Sequence, residues 1–311
     1  MSKALRTKHR FVQPVENAVS PSGCFSRRMP PRRPLPDALL KQRLDLLAAT
    51  FDISTIAPDP LQLVLRFDDP LDQEVAGLLA AAFAYGRADI IVANIGVVLA
   101  RMTPSPYRYL TAFQRREATK RFAGFAHRFH KTRDLIDLFD CLAAAIREHG
   151  SLGGLFRECY QGGDADIGPS LARFTGSLIG ARRSPALRYL LTSPLDGSAC
   201  KRMNLYLRWM IRRTAPDVGL WTFADPAKLV MPLDTHIHRI TSFLGLNTRK
   251  SADWKTARAL TDRLSCFDSS DPVRYDFALC RLGILDRCGT KKRKENCDVC
   301  VLNDVCRVRL H

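Results

Sequence analysis

Four cysteines lie near the end of the sequence, Cys288, Cys297, Cys300 and Cys306, in the pattern C-x8-C-x2-C-x5-C. Thiolates are strong ligands for soft metals, and four within one short stretch can enclose a metal centre without help from the rest of a fold. A disulfide framework is the competing use. The first residues are charged and no apolar run precedes a cleavage site, so we expect a reducing, cytoplasmic compartment, where metal is the better reading. The two-residue bite of the middle pair suits a chelate. Its unequal outer arms suit an iron–sulfur loop better than the paired knuckles of a zinc ribbon, with zinc as the alternative. The other six cysteines, Cys24, Cys141, Cys159, Cys200, Cys266 and Cys280, have no chelating spacing and read as small buried hydrophobes or free thiols.

Two further segments carry chemistry. In SPALRYLLTS-PLDGSAC-KRMNLYLRWMIRR, over 184–213, two helices flank a tight turn, and backbone amides at such a helix entrance can hold a phosphate. Gly197 and Ala199 stand in that turn, and Lys201 opens the second helix. An ordinary helical hairpin with a solvated lysine satisfies the same pattern. In PLDTHIHRITSFLGL, Asp234 precedes an amphipathic helix with Ile237, Ile240, Phe243 and Leu244 on one face and Gly245 at its end, the usual place for an N-cap. His236 and His238 lie two apart and point to different faces of that helix, which argues against a joint metal site.

The elements that must position these residues are helical. DALLKQRLDLLAATF repeats its leucines at helical spacing, DQEVAGLLAAAFAYG reads as a buried helix, and further helices are expected at 131–148, 168–180, 185–192, 200–213, 235–244, 252–265 and 271–283. No run alternates with a period of two, and the fold class expected is all-α. The 311 residues exceed a usual single core, and 48 Lys and Arg against 31 Asp and Glu give a net charge of +17. Such an excess points to a polyanion. Residues 1–35 hold eight basic residues against one acid and end in MPPRRPLP, the composition of a disordered basic arm. The most apolar stretch, 75–100, contains Arg87, Asp89 and Asn94 and therefore suits a protein core better than a membrane.

In order along the chain, GSACKRMN, PLDTHIHRI and the four-cysteine segment resemble the helix-hairpin-helix DNA glycosylases of the endonuclease III type. The resemblance covers roughly residues 70–306, with AAAFAYGRAD at 80–89 similar to the first barrel helix. DQEVAGLLAAAFAYGRAD, KRMNLYLRWMIR, DVGLW, PLDTHIHRI and DPVRYDFAL are more closely similar to an uncharacterised bacterial family of distant relatives of those enzymes.

The resemblance implies a six-helix barrel-like domain over 73–232, enlarged at 105–180, and an iron–sulfur domain built from 36–72 and 233–311. It further implies a 4Fe-4S cluster on the four cysteines, Lys201 as a sugar-attacking amine and Asp234 as its acidic partner. The partner implied is DNA, bound by one copy of the chain, with Arg208 and the basic loop Lys291, Lys292, Arg293 and Lys294 at phosphates. Ala199 stands where the hairpin of those enzymes has its second glycine, Ala84 where they insert a glutamine, and the segment from Lys201 to Asp234 is about twice as long. The function expected is that of a base-lesion glycosylase or lyase; the alternative is a non-catalytic nucleic-acid-binding protein.

Overall fold

The computed structural model describes residues 37–182, 184–285, 287–289 and 293–308; the basic arm, Lys291 and Lys292 lie outside them. Among these residues the protein is all-α apart from one small hairpin. The described chain belongs to a single compact unit, Pro36–His311.

Its centre is α2 (Pro70–Ala82), a run of alanines and leucines buried on every side, started by Pro70 and by Asp69, whose side chain accepts from the Leu71 amide at 2.8 Å. A helix apolar all round belongs in the middle of a core. α10 (Lys201–Ile211) packs along it at Gly77, where a Cβ would press on Tyr206 and Met210. The helix stops at Ala82, so AAAFAYGRAD is not one helix: residues 83–87 turn, and α3 (Ala88–Arg101) starts beyond them.

The enlarged stretch supplies α4 (Pro106–Thr111), α5 (Arg115–Arg121), a hairpin of β1 (Ala126–His127) and β2 (His130–Lys131), α6 (Thr132–His149), α7 (Leu152–Cys159) and α8 (Gly168–Ile179). α7 packs on both α2 and α8, and α9 (Pro185–Leu190) leads toward the 194–200 turn. The remaining helices are α1 (Asp37–Thr50), α11 (Thr235–Leu244), α12 (Trp254–Ser265), α13 (Asp276–Ile284) and α14 (Lys294–Asp298). α13 lies against α1 and α11, so the two ends of the described chain pack together. It begins later than its apolar pattern suggests, because 272–275 form turns. No helix among the described residues is long and apolar enough to cross a membrane.

The long segment between Lys201 and Asp234 folds back on α10. The amides of Val218 and Gly219 donate to the Trp209 carbonyl, and the Trp221 amide donates to that of Met210 at 2.7 Å. Trp221 Nε1 donates to the buried Glu74 of α2 at 2.8 Å. The same segment brings Asp217 beneath α10, where Arg208 donates to its Oδ1 at 3.1 and 3.0 Å and Arg212 to its Oδ2 at 3.0 Å. Arg208 also pairs with Asp276 of α13, and Arg212 with Asp271 at 2.8 Å. This corrects the reading of Arg208 as a phosphate contact: it is 2% exposed, and its charge is spent on two buried carboxylates.

Removing one partner of a buried ion pair strands the other charge. Asp217→Asn is therefore expected to lower the unfolding free energy by about 3–5 kcal/mol, measured by urea denaturation. A loss below about 1 kcal/mol, the usual value of an exposed pair, would contradict this role.

Candidate active site and cysteine pocket

Lys201 and Asp234 open into one cavity of about 510 Å³, a volume ordinary for a small-ligand site. Its walls are the 58–60 turn, the 84–91 segment between α2 and α3, the start of α10, the entrance to α11 and one face of α13. Lys201 is half-buried at the first position of α10, and its Nζ donates to the Ala84 carbonyl at 3.1 Å. That carbonyl is available because α2 has already ended. Asp234 caps α11, accepting from the Ile237 amide at 2.8 Å with Oδ1. Its other oxygen receives the Cys280 thiol at 3.8 Å. One carboxyl thus serves the fold with one oxygen and faces the cavity with the other.

Two residues that the sequence reading did not single out stand beside them. Cys280, read there as a small buried hydrophobe or free thiol, lines the cavity. Burial and the nearby carboxyls of Asp234, Asp276 and Asp59 push its thiol well above the usual range, so it is a neutral donor and a poor nucleophile. Asp276 opens α13 and gives one oxygen to Arg208, while its other, buried oxygen has no hydrogen-bond partner among the described residues. Burial pushes its carboxyl up to about 7; Arg208 opposes the shift and Asp234 adds to it. Its signal in the sequence was its place in DPVRYDFAL at a helix start. Asp59 caps the Leu61 amide at 2.9 Å and adds a further carboxyl to a lining that also carries Arg87, Lys201 and Arg208.

The hairpin turn differs from the phosphate cradle expected of it. Gly197 adopts φ 71°, but its amide donates to Pro194. Ala199 is buried, and its carbonyl accepts from Asn204 Nδ2 at 3.2 Å. The second left-handed position falls on Cys200, at φ 49°, whose amide donates to Ser198 Oγ at 3.1 Å. The Gly197 carbonyl accepts from the Trp254 amide at the start of α12. The turn's hydrogen bonds are thus largely internal.

The four cysteines come together elsewhere. Cys288, Cys297, Cys300 and Cys306 line one small pocket of about 40 Å³ with Ile240, Phe243 and Leu244 of α11, Leu282 of α13 and Leu302. Among the described residues no three His, Cys, Asp or Glu side chains converge on a point that would hold a single ion. Arg239 joins this pocket to the cavity: its Nη2 donates to the Cys288 carbonyl at 2.6 Å and to His236 Nδ1 at 3.2 Å. His236 lines the cavity. It reaches α13 only because residue 283 is glycine, where a Cβ would collide with the imidazole. Of the basic loop, Arg293 caps α14 and Lys294 begins it.

A family model described as "Protein of unknown function (DUF2400)" matches residues 59–285. The chain belongs to this family. The match spans α2, α10, α11 and all of α13, and with them Asp59, Ala84, Lys201, Asp234, His236, Asp276 and Cys280 of the cavity lining. No curated protein and no solved structure matches the chain.

Asp276 gives the cavity a pH signature. A carboxyl whose folded pKa exceeds its ordinary value of 3.8 binds its proton more tightly in the folded chain. Its stabilising contribution is present below the ordinary value and is lost as the pH rises through about 7. Asp276→Asn is expected to flatten the fall in urea-unfolding free energy over that interval. An unchanged slope would contradict the assignment.

Proposed function

We propose that this chain is a DNA-binding iron–sulfur protein that acts on a nucleotide drawn out of the helix, as a base-lesion glycosylase or lyase. One observation carries the reading: Lys201 and Asp234, far apart in sequence and joined by an unusually long segment, line the same cavity. The charge of the cavity lining agrees with it. The cavity lining sets Asp59, Asp89, Asp234 and Asp276 against Arg87, Lys201 and Arg208, so the positive excess of a chain of net charge +17 lies outside it and draws phosphate there. What enters is then a base and its sugar, with the backbone phosphates left outside.

In this reading the neutral Lys201 amine attacks the sugar C1′ and the base departs with the glycosidic electron pair and one proton from Nζ; the C1′–O4′ bond then opens, O4′ takes the remaining Nζ proton, and a Schiff base is left on Nζ. Lys201 must first lose its own proton, and Asp234 and Asp276 line the same cavity as acceptors. The carboxylate of Asp234 stabilises the positive charge that develops on the sugar ring. Among the described residues its Oδ2 receives a thiol at 3.8 Å, a weak partner for a cation to displace.

A 4Fe-4S cluster fits the cysteine pocket by its donors: four thiols face one apolar space with no competing carboxylate. Cys288, Cys297, Cys300 and Cys306 would hold it, and its contribution would be structural. It would brace Ile240, Phe243 and Leu244 on the helix that Asp234 opens, with Arg239 tying the loop to His236. Arg293 and Lys294, with Lys291, Lys292 and the N-terminal arm, add positive charge for the DNA backbone.

A second reading, nucleic-acid binding without chemistry, is favoured by the ordinary structural bonds that Lys201 and Asp234 make to Ala84 and Ile237.

Protein purified without oxygen is expected to be brown, with about four iron and about four sulfide per chain, and Cys297→Ser to lose both. Colourless protein carrying one zinc would contradict the cluster.

Borohydride is expected to trap a covalent complex with DNA bearing an abasic site, and Lys201→Ala to abolish the trap with metal content unchanged. Asp234→Asn should slow trapping by about 100-fold or more. If nothing traps and Asp234→Asn only lowers stability by about 1 kcal/mol, as a lost cap does, the binding reading replaces the enzyme.

A further inference from the structure

Beside the cavity the protein displays aromatic rings to solvent. Phe129 is 57% exposed and Tyr189 39% exposed, and they are the only exposed large aromatics among the described residues. Phe129 lies nearly parallel to Tyr85, at 5.6 Å between centroids and 24°, and meets Tyr189 edge-on at 4.9 Å. The Arg202 guanidinium sits against Tyr189 and Tyr85, 4.2 and 5.3 Å from the ring centroids. The three rings and the guanidinium form one ledge.

The ledge is built rigidly. Phe129 and Arg128 form the two-residue tip between β1 and β2, and Arg128 holds φ 55°, a left-handed conformation that side chains other than glycine seldom adopt. Both flanking histidines are buried, and burial keeps each of them neutral. Asn94 Nδ2 donates to His127 Nδ1 at 3.1 Å, so His127 Nε2 donates to the Tyr85 carbonyl at 3.1 Å. The Tyr85 hydroxyl donates to His130 Nδ1 at 2.5 Å. These bonds clamp the hairpin onto the 83–87 turn, whose residues Ala84, Gly86 and Arg87 line the cavity. Gly86, at φ 95°, admits the Arg128 side chain, which packs over it. The ledge and the mouth of the cavity are therefore parts of one fixed surface.

We propose that Phe129, backed by Tyr85 and Tyr189, is a stacking site for an unpaired nucleobase next to the cavity. A flat ring exposed on one face, with the exposed Arg128 at the same tip, matches the recurring recognition of single-stranded nucleic acid, in which bases stack on aromatics and cations take the phosphates. Arg202 is buried, donates to the Ala82 and Tyr189 carbonyls and braces the rings. The exposed Arg128 at the tip and the net charge of +17 favour this polyanion over an apolar protein partner. The strain at Arg128 and the buried histidine pair keep the ring outside the core, where hydrophobic burial alone would draw it in. The proposal rests on the nucleic-acid part of the reading above and not on its chemistry.

The test compares affinities of the full-length, metal-loaded protein for a short oligo(dT) strand and for a matched duplex at low salt. Phe129→Ala is expected to weaken single-strand binding about tenfold, in the range of one lost base stack, and to leave duplex binding and the melting temperature unchanged. Phe129→Trp should restore the affinity. Equal losses on both DNAs, no loss at all, no single-strand binding by the unaltered protein, or a shift in oligomeric state caused by Phe129→Ala would each overturn it. Repeating the measurement in Lys201→Ala separates the two ideas. If the lyase reading fails, the Phe129 effect persists there; if the stacking site fails, Lys201-dependent borohydride trapping persists without it.

Discussion

Arg208 sits where almost no solvent reaches, and what it touches determines how the cavity is assembled. Its guanidinium bridges Asp217, from the long segment after α10, and Asp276, the first residue of α13. Arg212, one turn later, holds Asp217 by the other oxygen and adds Asp271. A cation left unpaired at such depth is very costly, so the three segments must meet around it in nearly one arrangement. That arrangement sets Lys201, at the start of the same helix, across from Asp234, Cys280 and Asp276. Substituting hydrophobic residues for such a network is often tolerated in other proteins. Here the network also shapes the cavity wall, because Asp276 belongs to both.

A contrast of charge follows from this placement. The chain is strongly basic, yet the cavity of Lys201 and Asp234 is lined by four aspartates and a neutral thiol beside Arg87, Lys201 and Arg208. Burial pushes the Asp276 carboxyl up to about 7, and the neighbouring Asp234 adds to the cost of ionising it. A pair of acids with different environments is the usual way one site keeps both a proton donor and an acceptor at the same pH. The cysteine pocket bears on this lining from the other end of α11, through Ile240, Phe243, Leu244 and Arg239. In the proposed reading the metal centre therefore acts on the reaction only through the helix that Asp234 caps.

Much of this was legible in the sequence. The spacing of Leu39, Leu40, Leu44 and Leu47 announced α1, and the cap-to-glycine run from Asp234 to Gly245 fixed α11 at both ends. Lys201 and Asp234 were found by residue type and setting. Arg208 was misread as a phosphate contact because an arginine on the helix after a hairpin turn looks free to reach out. Asp217 follows it across a turn and Asp276 lies far along the chain, and only tertiary packing reveals the pairing. The β1–β2 hairpin escaped because strands of two residues are too short to show a period of two. Cys280 was read with the other scattered cysteines as a small buried hydrophobe or free thiol, and only the fold shows that it lines the cavity.

The most direct measurement is a crystal structure of the metal-loaded protein bound to a duplex containing a stable abasic-site analogue. The account requires the sugar ring of that nucleotide to lie inside the cavity, with C1′ beside Lys201 Nζ and the ring oxygen facing Asp234. The flanking phosphates should remain outside, against basic residues. An analogue left stacked in the helix, with the cavity closed to DNA or filled by another molecule, would contradict it.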